Sequence, residues 1–144
     1  MCGIDGMLGG PDPSVVHRMN ALLAHRGPNG NAIWTDDHIS IGHTRLAIVD
    51  IAGSNQPLFG IENEVLVANC EIYNYREIRS QNRSFAWKTK GDSEVILALH
   101  HASKSKSPGV LTARQHAEWI AQLNGMYAFA LWDAETKHLL LARD

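Results

Sequence analysis

The sequence has few cysteines, no long apolar run and no concentration of basic charge. Only 2 cysteines occur among 144 residues. They are too few for a disulfide scaffold, so we expect a reducing, cytoplasmic environment. No stretch approaches the roughly 20 apolar residues that a membrane span needs. The 13 Lys and Arg residues are scattered among 15 Asp and Glu residues, which disfavours nucleic-acid binding. We therefore predict neither a membrane nor a nucleic-acid partner.

The composition predicts a single folded domain over residues 1–144. Hydrophobic residues make up 44% and charged residues 19% of the chain, which are ordinary values for a globular protein. The histidines include the pair His100-His101. Since neither a His-Glu-x-x-His nor a Cys-x-x-Cys motif accompanies them, we predict no metal site.

Turn signals and hydrophobic spacing predict an α+β layout. Asp12-Pro13 predicts the start of a helix whose apolar face carries Val15, Val16, Met19, Leu22 and Leu23. Thr112-x-x-Gln115 predicts a capping box at the start of another helix. Further helices are predicted over 71–79 and 92–99. Strands are predicted over 3–9, 32–35, 38–44, 64–68, 85–88, 126–133 and 138–141. A buried run over 46–49 is predicted to continue the sheet, and residues 103–109 are predicted to form a solvated loop.

The sequence Met-Cys-Gly at the start of the chain places a candidate nucleophile at residue 2. If Met1 is removed, Cys2 carries both a thiol and a free α-amine that can act as its base. In model compounds these groups titrate near pH ~8.5 and ~8, so proton transfer between them is cheap at neutral pH. A cysteine at the second position is also a common accident, so the hypothesis needs support from elsewhere.

Three other residues carry the groups that would bind an amide substrate with a carboxylate and an ammonium. Arg45, after an apolar strand, can bind a carboxylate with two parallel hydrogen bonds, and Asp92 can pair with an ammonium. Asn69 offers a side-chain N–H to an oxyanion, next to the backbone N–H of residue 70. Taken singly, Arg45 also fits a strand edge, Asp92 a helix N-cap and Asn69 a turn.

Seven motifs follow one another in a characteristic order along the chain. They are Met-Cys-Gly-Ile at 1–4, His-Arg-Gly-Pro at 25–28, Gly-His-Thr-Arg-Leu-Ala-Ile-Val-Asp at 42–50, Gln-Pro at 56–57, Glu-Ile-Tyr-Asn at 71–74, Gly-Asp-Ser-Glu-Val-Ile at 91–96 and Gly-Met-Tyr-Ala-Phe-Ala-Leu-Trp-Asp at 125–133. Together they resemble the class II glutamine amidotransferase domain, an N-terminal-nucleophile hydrolase, in the version found in glutamine-dependent asparagine synthetases.

The resemblance implies a four-layer αββα sandwich and a defined chemistry. Cys2 would attack the side-chain amide of L-glutamine, which releases ammonia and leaves a thioester that water hydrolyses to glutamate. Asn69 and the backbone N–H of Cys70 would bind the oxyanion. The rest of the substrate would be bound by Arg45, Leu46, Ala47, Ile48, Val49, Glu71 and Asp92.

The chain departs from the resemblance in two respects. Where the family has glycine, this chain has Cys70, whose side chain would stand beside the reacting carbonyl and add strain if the position needs a positive φ. The family also continues past Asp144 through further strands into a synthetase domain. We therefore expect no cofactor here, ATP and magnesium only in that domain, and a synthetase domain or subunit as the recipient of ammonia.

These departures leave a second hypothesis open. The chain would then be a non-catalytic glutamine-binding or regulatory subunit, silenced by Cys70 and by the missing C-terminal strands. An uncovered sheet edge would in addition favour self-association into a homo-oligomer.

Overall fold

The computed structural model describes residues 1–144 as two antiparallel sheets and four helices. In chain order the elements are β1 (Gly3–Leu8), α1 (Pro13–Leu22), β2 (Gly30–Thr35), β3 (Ile39–Arg45), β4 (Leu58–Phe59), β5 (Glu64–Ile72), α2 (Tyr75–Gln81), α3 (Glu94–Lys106), α4 (Ala113–Ile120), β6 (Gly125–Asp133) and β7 (His138–Arg143). One sheet has the strand order β1-β3-β2 and the other β4-β5-β6-β7. None of the helices is long and apolar enough to cross a membrane.

The sheets pack face to face, and the helices cover their outer faces. Ile41 of β3 packs with Val67 of β5 and Trp132 of β6 in the core between the sheets. Because side chains alternate along a strand, Leu66 points to the opposite face of β5 and joins the core under α3. Helix α1 covers the other sheet, with Val16 buried above Gly42 of β3. This helix–sheet–sheet–helix order confirms the predicted αββα fold.

Both helix starts that the sequence predicts are confirmed. The Asp12 carboxylate accepts hydrogen bonds from the N–H groups of Ser14 and Val15, at 2.8 and 3.3 Å. Thr112 and Gln115 form the reciprocal capping box of α4. Such caps each contribute about 1 kcal/mol. Of the predicted apolar face of α1, Val16 is fully buried against the sheet, but the prediction is wrong at Leu22, which is 77% exposed at the end of the helix.

Two predicted element boundaries beside the strands are wrong. The run 46–49 does not continue β3, which ends at Arg45, and Ile48 is 66% exposed. The predicted helix over 71–79 begins later, at Tyr75. Residues 71–72 have helical apolar spacing, but they pair with Met126 and Gly125 of β6 and complete β5 instead.

Two further predictions fail in the segment that surrounds α3. Residues 85–88 form no strand; Phe85 is instead buried in the core beneath the helices. The predicted loop over 103–109 is partly helical, because α3 runs to Lys106. Only the end of that range leaves the helix.

Lys104 explains why the helix continues there. Its side chain is 5% exposed and its ammonium lies 2.9 Å from Asp133 and 3.1 Å from Glu62. Burial alone would lower the pKa of Lys104, but the hydrogen bonds that its ammonium donates to Asp133 and Glu62 outweigh burial and raise the pKa. A lysine in a serine-rich stretch is thus a buried ion-pair residue that joins α3 to the end of β6.

A second buried polar group lies between β1 and α1. Both carboxylate oxygens of Asp5 and the Oδ1 atom of Asn20 are buried without hydrogen-bond partners. A Cβ atom on Gly42 would contact both side chains, so they converge above that glycine. Burial raises the pKa of Asp5 to about 6. A protonated Asp5 would have an O–H to offer to the Asn20 oxygen.

Candidate active site

A cavity of about 520 Å³ opens where chain segments from both sheets meet. Cys2 lies just before β1, Arg45 at the end of β3, Asn69 and Cys70 near the end of β5, and Asp92 just before α3. All of the predicted site residues line this cavity except Ala47, whose N–H donates to Asn29 Oδ1 at 3.0 Å. The fold therefore brings together residues that are up to 90 positions apart.

Cys2 is held in place by its neighbours on both sides. Its thiol accepts a hydrogen bond from the Leu46 N–H at 3.3 Å, and its carbonyl accepts one from Arg26 Nε at 3.1 Å. The next residue, Gly3, pairs with Thr44 of β3 and has no room for a side chain there. The position of the thiol at the cavity is consequently fixed by the first sheet.

Arg45 is not a surface residue at a strand edge, since it is only 8% exposed. Its Nη1 donates to Ile51 O and Asn55 Oδ1, both at 2.8 Å, and Nη2 donates to Asp50 O at 2.9 Å. These bonds hold the loop after β3 in position. A guanidinium has five N–H donors, so one on Nε and one on Nη2 remain for a ligand in the cavity.

Asp92 is not the N-cap of α3, although its sequence position also fits that role. The helix begins at Glu94 without a side-chain cap. Asp92 is buried, and its Oδ2 accepts a hydrogen bond from the Ile72 N–H at 2.9 Å. Its Oδ1 accepts no hydrogen bond from the chain, which leaves it available on the cavity wall.

The outer edge of β5 presents a row of backbone donors to the same cavity. Along an antiparallel strand, alternate residues point their N–H groups to the same side. Leu66 pairs with Leu58 of β4, and Ala68 and Ile72 bond to side chains on that side. The N–H of Cys70 lies between the last two and points the same way, and the side chain of the preceding residue, Asn69, lines the same cavity. This pair of donors suits an oxyanion.

The Asn69 amide is covered by the first residue of the chain. Its Nδ2 lies 3.9 Å from Met1 Sδ, and Met1 lines the cavity. Removal of Met1 would therefore expose both the α-amine of Cys2 and the Asn69 amide.

The side chain of Cys70 points to α3. Its thiol lies 3.2 Å from Ser93 Oγ and 3.9 Å from Asp92 Oδ2. Burial, reinforced by the negative charge of Asp92, raises the pKa of the Cys70 thiol to about 12, so it stays protonated and is a poor nucleophile at neutral pH. The condition for backbone strain at this position is not met, because Cys70 is in an ordinary strand conformation and is not among the residues with positive φ.

Sequence reasoning missed two buried residues that contact the site. Gln56 lines the cavity and bonds to Ala68 through its side-chain amide. His43 lies between the sheets, and its Nε2 is 3.2 Å from Ala68 O. Burial lowers the pKa of His43 to about 4, so the ring is neutral at pH 7. Since a carbonyl only accepts, Nε2 carries the proton. Both residues lie inside the motifs quoted above, but only the strand register shows what they contact.

Comparison with known proteins identifies the class of this fold and site. Residues 1–144 match the family described as the glutamine amidotransferase domain. The chain therefore belongs to the glutamine amidotransferase family.

Relatives of known sequence narrow the type. The chain is 36% identical over 151 residues to asparagine synthetase B [glutamine-hydrolyzing] of Escherichia coli K12, which covers 100% of this chain and 25% of that protein. It is 37% identical over 155 residues to a putative asparagine synthetase [glutamine-hydrolyzing] of Mycobacterium tuberculosis H37Rv, which covers 99% of this chain and 22% of that protein. The chain is thus similar to one part of proteins named as glutamine-hydrolyzing asparagine synthetases, and it spans about a quarter of the length of these relatives.

Solved structures share the fold at lower identity. The glutamine phosphoribosylpyrophosphate amidotransferase of Bacillus subtilis superimposes with a TM-score of 0.77 at 19% identity, over 100% of this chain and 37% of that chain. A second structure, titled as the allosteric regulatory enzyme of purine biosynthesis, gives 0.74 at 21% identity. The likeness confirms the predicted amidotransferase fold.

Proposed function

We propose that this chain hydrolyses L-glutamine to glutamate and ammonia, with Cys2 as an N-terminal nucleophile, and supplies the ammonia to the synthetase part of an asparagine synthetase-like enzyme. One observation carries the proposal: a single cavity is lined by Cys2, by Arg45 with two N–H donors that have no partner in the chain, and by Asp92, whose Oδ1 accepts no hydrogen bond. These groups complement a side-chain amide, an α-carboxylate and an α-ammonium in turn.

The substrate would be oriented by charge at one end. Arg45 binds the α-carboxylate with its Nε–H and its remaining Nη2–H, and Asp92 Oδ1 pairs with the α-ammonium. Ile48 and Val49 line the same cavity, and the exposed Glu71 contributes a second negative charge near the ammonium. Both charged groups on the α-carbon are thereby fixed, which directs the side-chain amide towards Cys2.

The reaction then proceeds through two tetrahedral intermediates. The α-amine of Cys2 takes the thiol proton as Sγ forms a bond to the amide carbon, and the Asn69 Nδ2 and the Cys70 N–H bind the oxyanion. The carbon–nitrogen bond breaks, and the proton leaves with ammonia. Water then adds to the thioester, giving one proton to the amine, and the carbon–sulfur bond breaks to release glutamate and restore the thiol.

The nucleophile is tested by replacing Cys2 with alanine. We expect the mature wild-type chain to lack Met1, and Cys2→Ala to abolish glutamate release while glutamine binding and the circular dichroism spectrum are retained. Ser14→Ala, on the exposed start of α1 and not among the residues that line the cavity, is the control. Hydrolysis by Cys2→Ala, or an active enzyme that still carries Met1, contradicts the assignment.

One observation favours a second function, glutamine binding without turnover. The Cys70 thiol lies 3.9 Å from Asp92, inside the cavity where the substrate ammonium would sit. Steady-state glutamate release from the purified wild-type chain separates the two. Sustained release supports the hydrolase, whereas saturable glutamine binding with no release supports the silent subunit.

A further inference from the structure

The edge of β5 beside the oxyanion donors is completed by a side chain instead of a strand. Gln56 is buried, its Oε1 accepts from the Ala68 N–H at 2.6 Å, and its Nε2 donates to the Ala68 carbonyl at 3.0 Å. These are the two bonds that a neighbouring antiparallel strand would make. Strand β4 pairs with β5 only at Leu66 and Val65, so Gln56 extends the pairing by one position towards the cavity.

The same carbonyl receives a second donor from the opposite sheet. His43 Nε2 lies 3.2 Å from Ala68 O, and the histidine is buried between the sheets. Side chains therefore satisfy both the backbone N–H and the carbonyl of Ala68. The one other hydrogen-bonding group near these side chains is Ser93, whose Oγ is 3.5 Å from the Gln56 amide. Ala68 directly precedes Asn69 and Cys70.

The donor pair is also fixed on its other side. Ile72, two residues after Cys70, donates its N–H to Asp92 Oδ2 at 2.9 Å. The Asn69 amide and the Cys70 N–H thus lie between two buried side-chain attachments of one strand edge. Oxyanion donors act only when they are aimed at the developing charge before the reaction begins.

We propose that Gln56, supported by His43, is a positioning residue that aims the Asn69 and Cys70 donors at the oxyanion. This inference rests on the proposed function. Gln56 would not touch the reacting atoms. It acts by keeping the backbone of Ala68 in register, because a displacement of about 1 Å at a reacting centre costs on the order of 10²-fold in rate.

The test compares Gln56→Ala with Gln115→Ala in the full chain. Gln115 is a matched control, since its side chain also bonds to backbone, at the α4 capping box far from the cavity. We expect Gln56→Ala to lower kcat by about 10²-fold with KM within about threefold. Alkylation of Cys2 by iodoacetamide needs no oxyanion and should keep its wild-type rate. Gln115→Ala should retain wild-type kcat.

A conservative variant and a binding measurement complete the test. Gln56→Glu keeps an acceptor for the Ala68 N–H but sets an oxygen against its carbonyl, and it replaces Gln56→Ala if that variant does not fold. L-glutamate γ-semialdehyde forms a hemithioacetal in which Sγ bonds to the aldehyde carbon and the thiol proton passes to its oxygen. We expect its affinity to fall by tenfold or more in the Gln56 variants, while glutamine affinity changes by less than threefold.

Unchanged kcat and unchanged aldehyde affinity in a folded Gln56 variant overturn the inference. So does an equal loss of kcat in Gln115→Ala, or a parallel loss of the Cys2 alkylation rate in the Gln56 variants. Failure of the proposed function looks different. In that case Cys2→Ala behaves like the wild-type chain, and the aldehyde does not modify Cys2.

Discussion

Replacing Arg45 with lysine keeps the positive charge, but we expect it to impair both the stability of the chain and the binding of substrate. The guanidinium makes three hydrogen bonds to the loop after β3, to Asp50 O, Ile51 O and Asn55 Oδ1. Its two remaining donors are assigned to the substrate carboxylate. A single ammonium nitrogen cannot replace donors that point from different edges of the guanidinium to the loop and to the carboxylate.

The expected losses follow from these contacts. Hydrogen bonds to a charged group contribute about 1.5–3 kcal/mol each, and lysine would lose two of the three, so we expect a loss of about 3–6 kcal/mol in unfolding free energy. For a chain of this size that lowers Tm by about 10–20 °C. Loss of the carboxylate pair costs another ~2–4 kcal/mol of transition-state binding, or about 30- to 700-fold in kcat/KM.

Thermal unfolding and glutaminase kinetics measure the two losses separately. Arg18→Lys is the matched control, because Arg18 is exposed on α1 and contacts only Ser14 at 3.5 Å. It should change neither quantity. An Arg45→Lys variant with wild-type Tm and wild-type kcat/KM would refute both the loop contacts and the carboxylate assignment. A lowered Tm with unchanged kcat/KM would leave Arg45 a purely structural residue.

Three further predictions concern other buried groups. Lys104→Ala should lower the unfolding free energy by about 3–5 kcal/mol, because it leaves the Asp133 carboxylate buried and unpaired, whereas the exposed Lys106→Ala should be neutral in denaturant titrations. Burial raises the pKa of Asp5 from 3.8 to about 6, so its contribution to stability falls as the pH rises through that range. Asp5→Asn should therefore exceed the wild type by about 1–2 kcal/mol at pH 7, allowing for partial exposure, and match it near pH 4; equal stability at both pH values would exclude this. Cys70→Gly should raise kcat/KM for glutamine severalfold, because it removes the thiol from the cavity, and an unchanged value would mean that the pocket tolerates the side chain.

Local signals predicted the elements whose ends depend on local chemistry. Asp12-Pro13 and Thr112-x-x-Gln115 satisfy backbone donors within one turn, so their sequence alone defines the helix starts. Residues 46–49 look like a strand, but the loop conformation is imposed by Arg45, whose bonds reach carbonyls several residues further on. Residues 71–72 have helical spacing, and pairing with β6 overrides it.

In the candidate site, too, local motifs predicted some features, whereas others depend on contacts between distant segments. The ordered motifs predicted which residues line the cavity, because each motif carries its own chemical group. They did not predict that Arg45 also holds a loop or that Gln56 completes a sheet edge. Both facts depend on which backbone groups face outwards, and that is decided by strand register between distant segments.

The central claim, that Cys2 is the nucleophile, is tested most directly by trapping the covalent intermediate. The wild-type chain is mixed with glutamine, quenched in acid within the first turnovers, digested and analysed by mass spectrometry. We predict an N-terminal peptide that begins at Cys2 and carries one glutamyl group in thioester linkage, labile to hydroxylamine. A glutamyl group on Cys70, or glutamate release from a Cys2→Ala chain under the same conditions, would contradict the account.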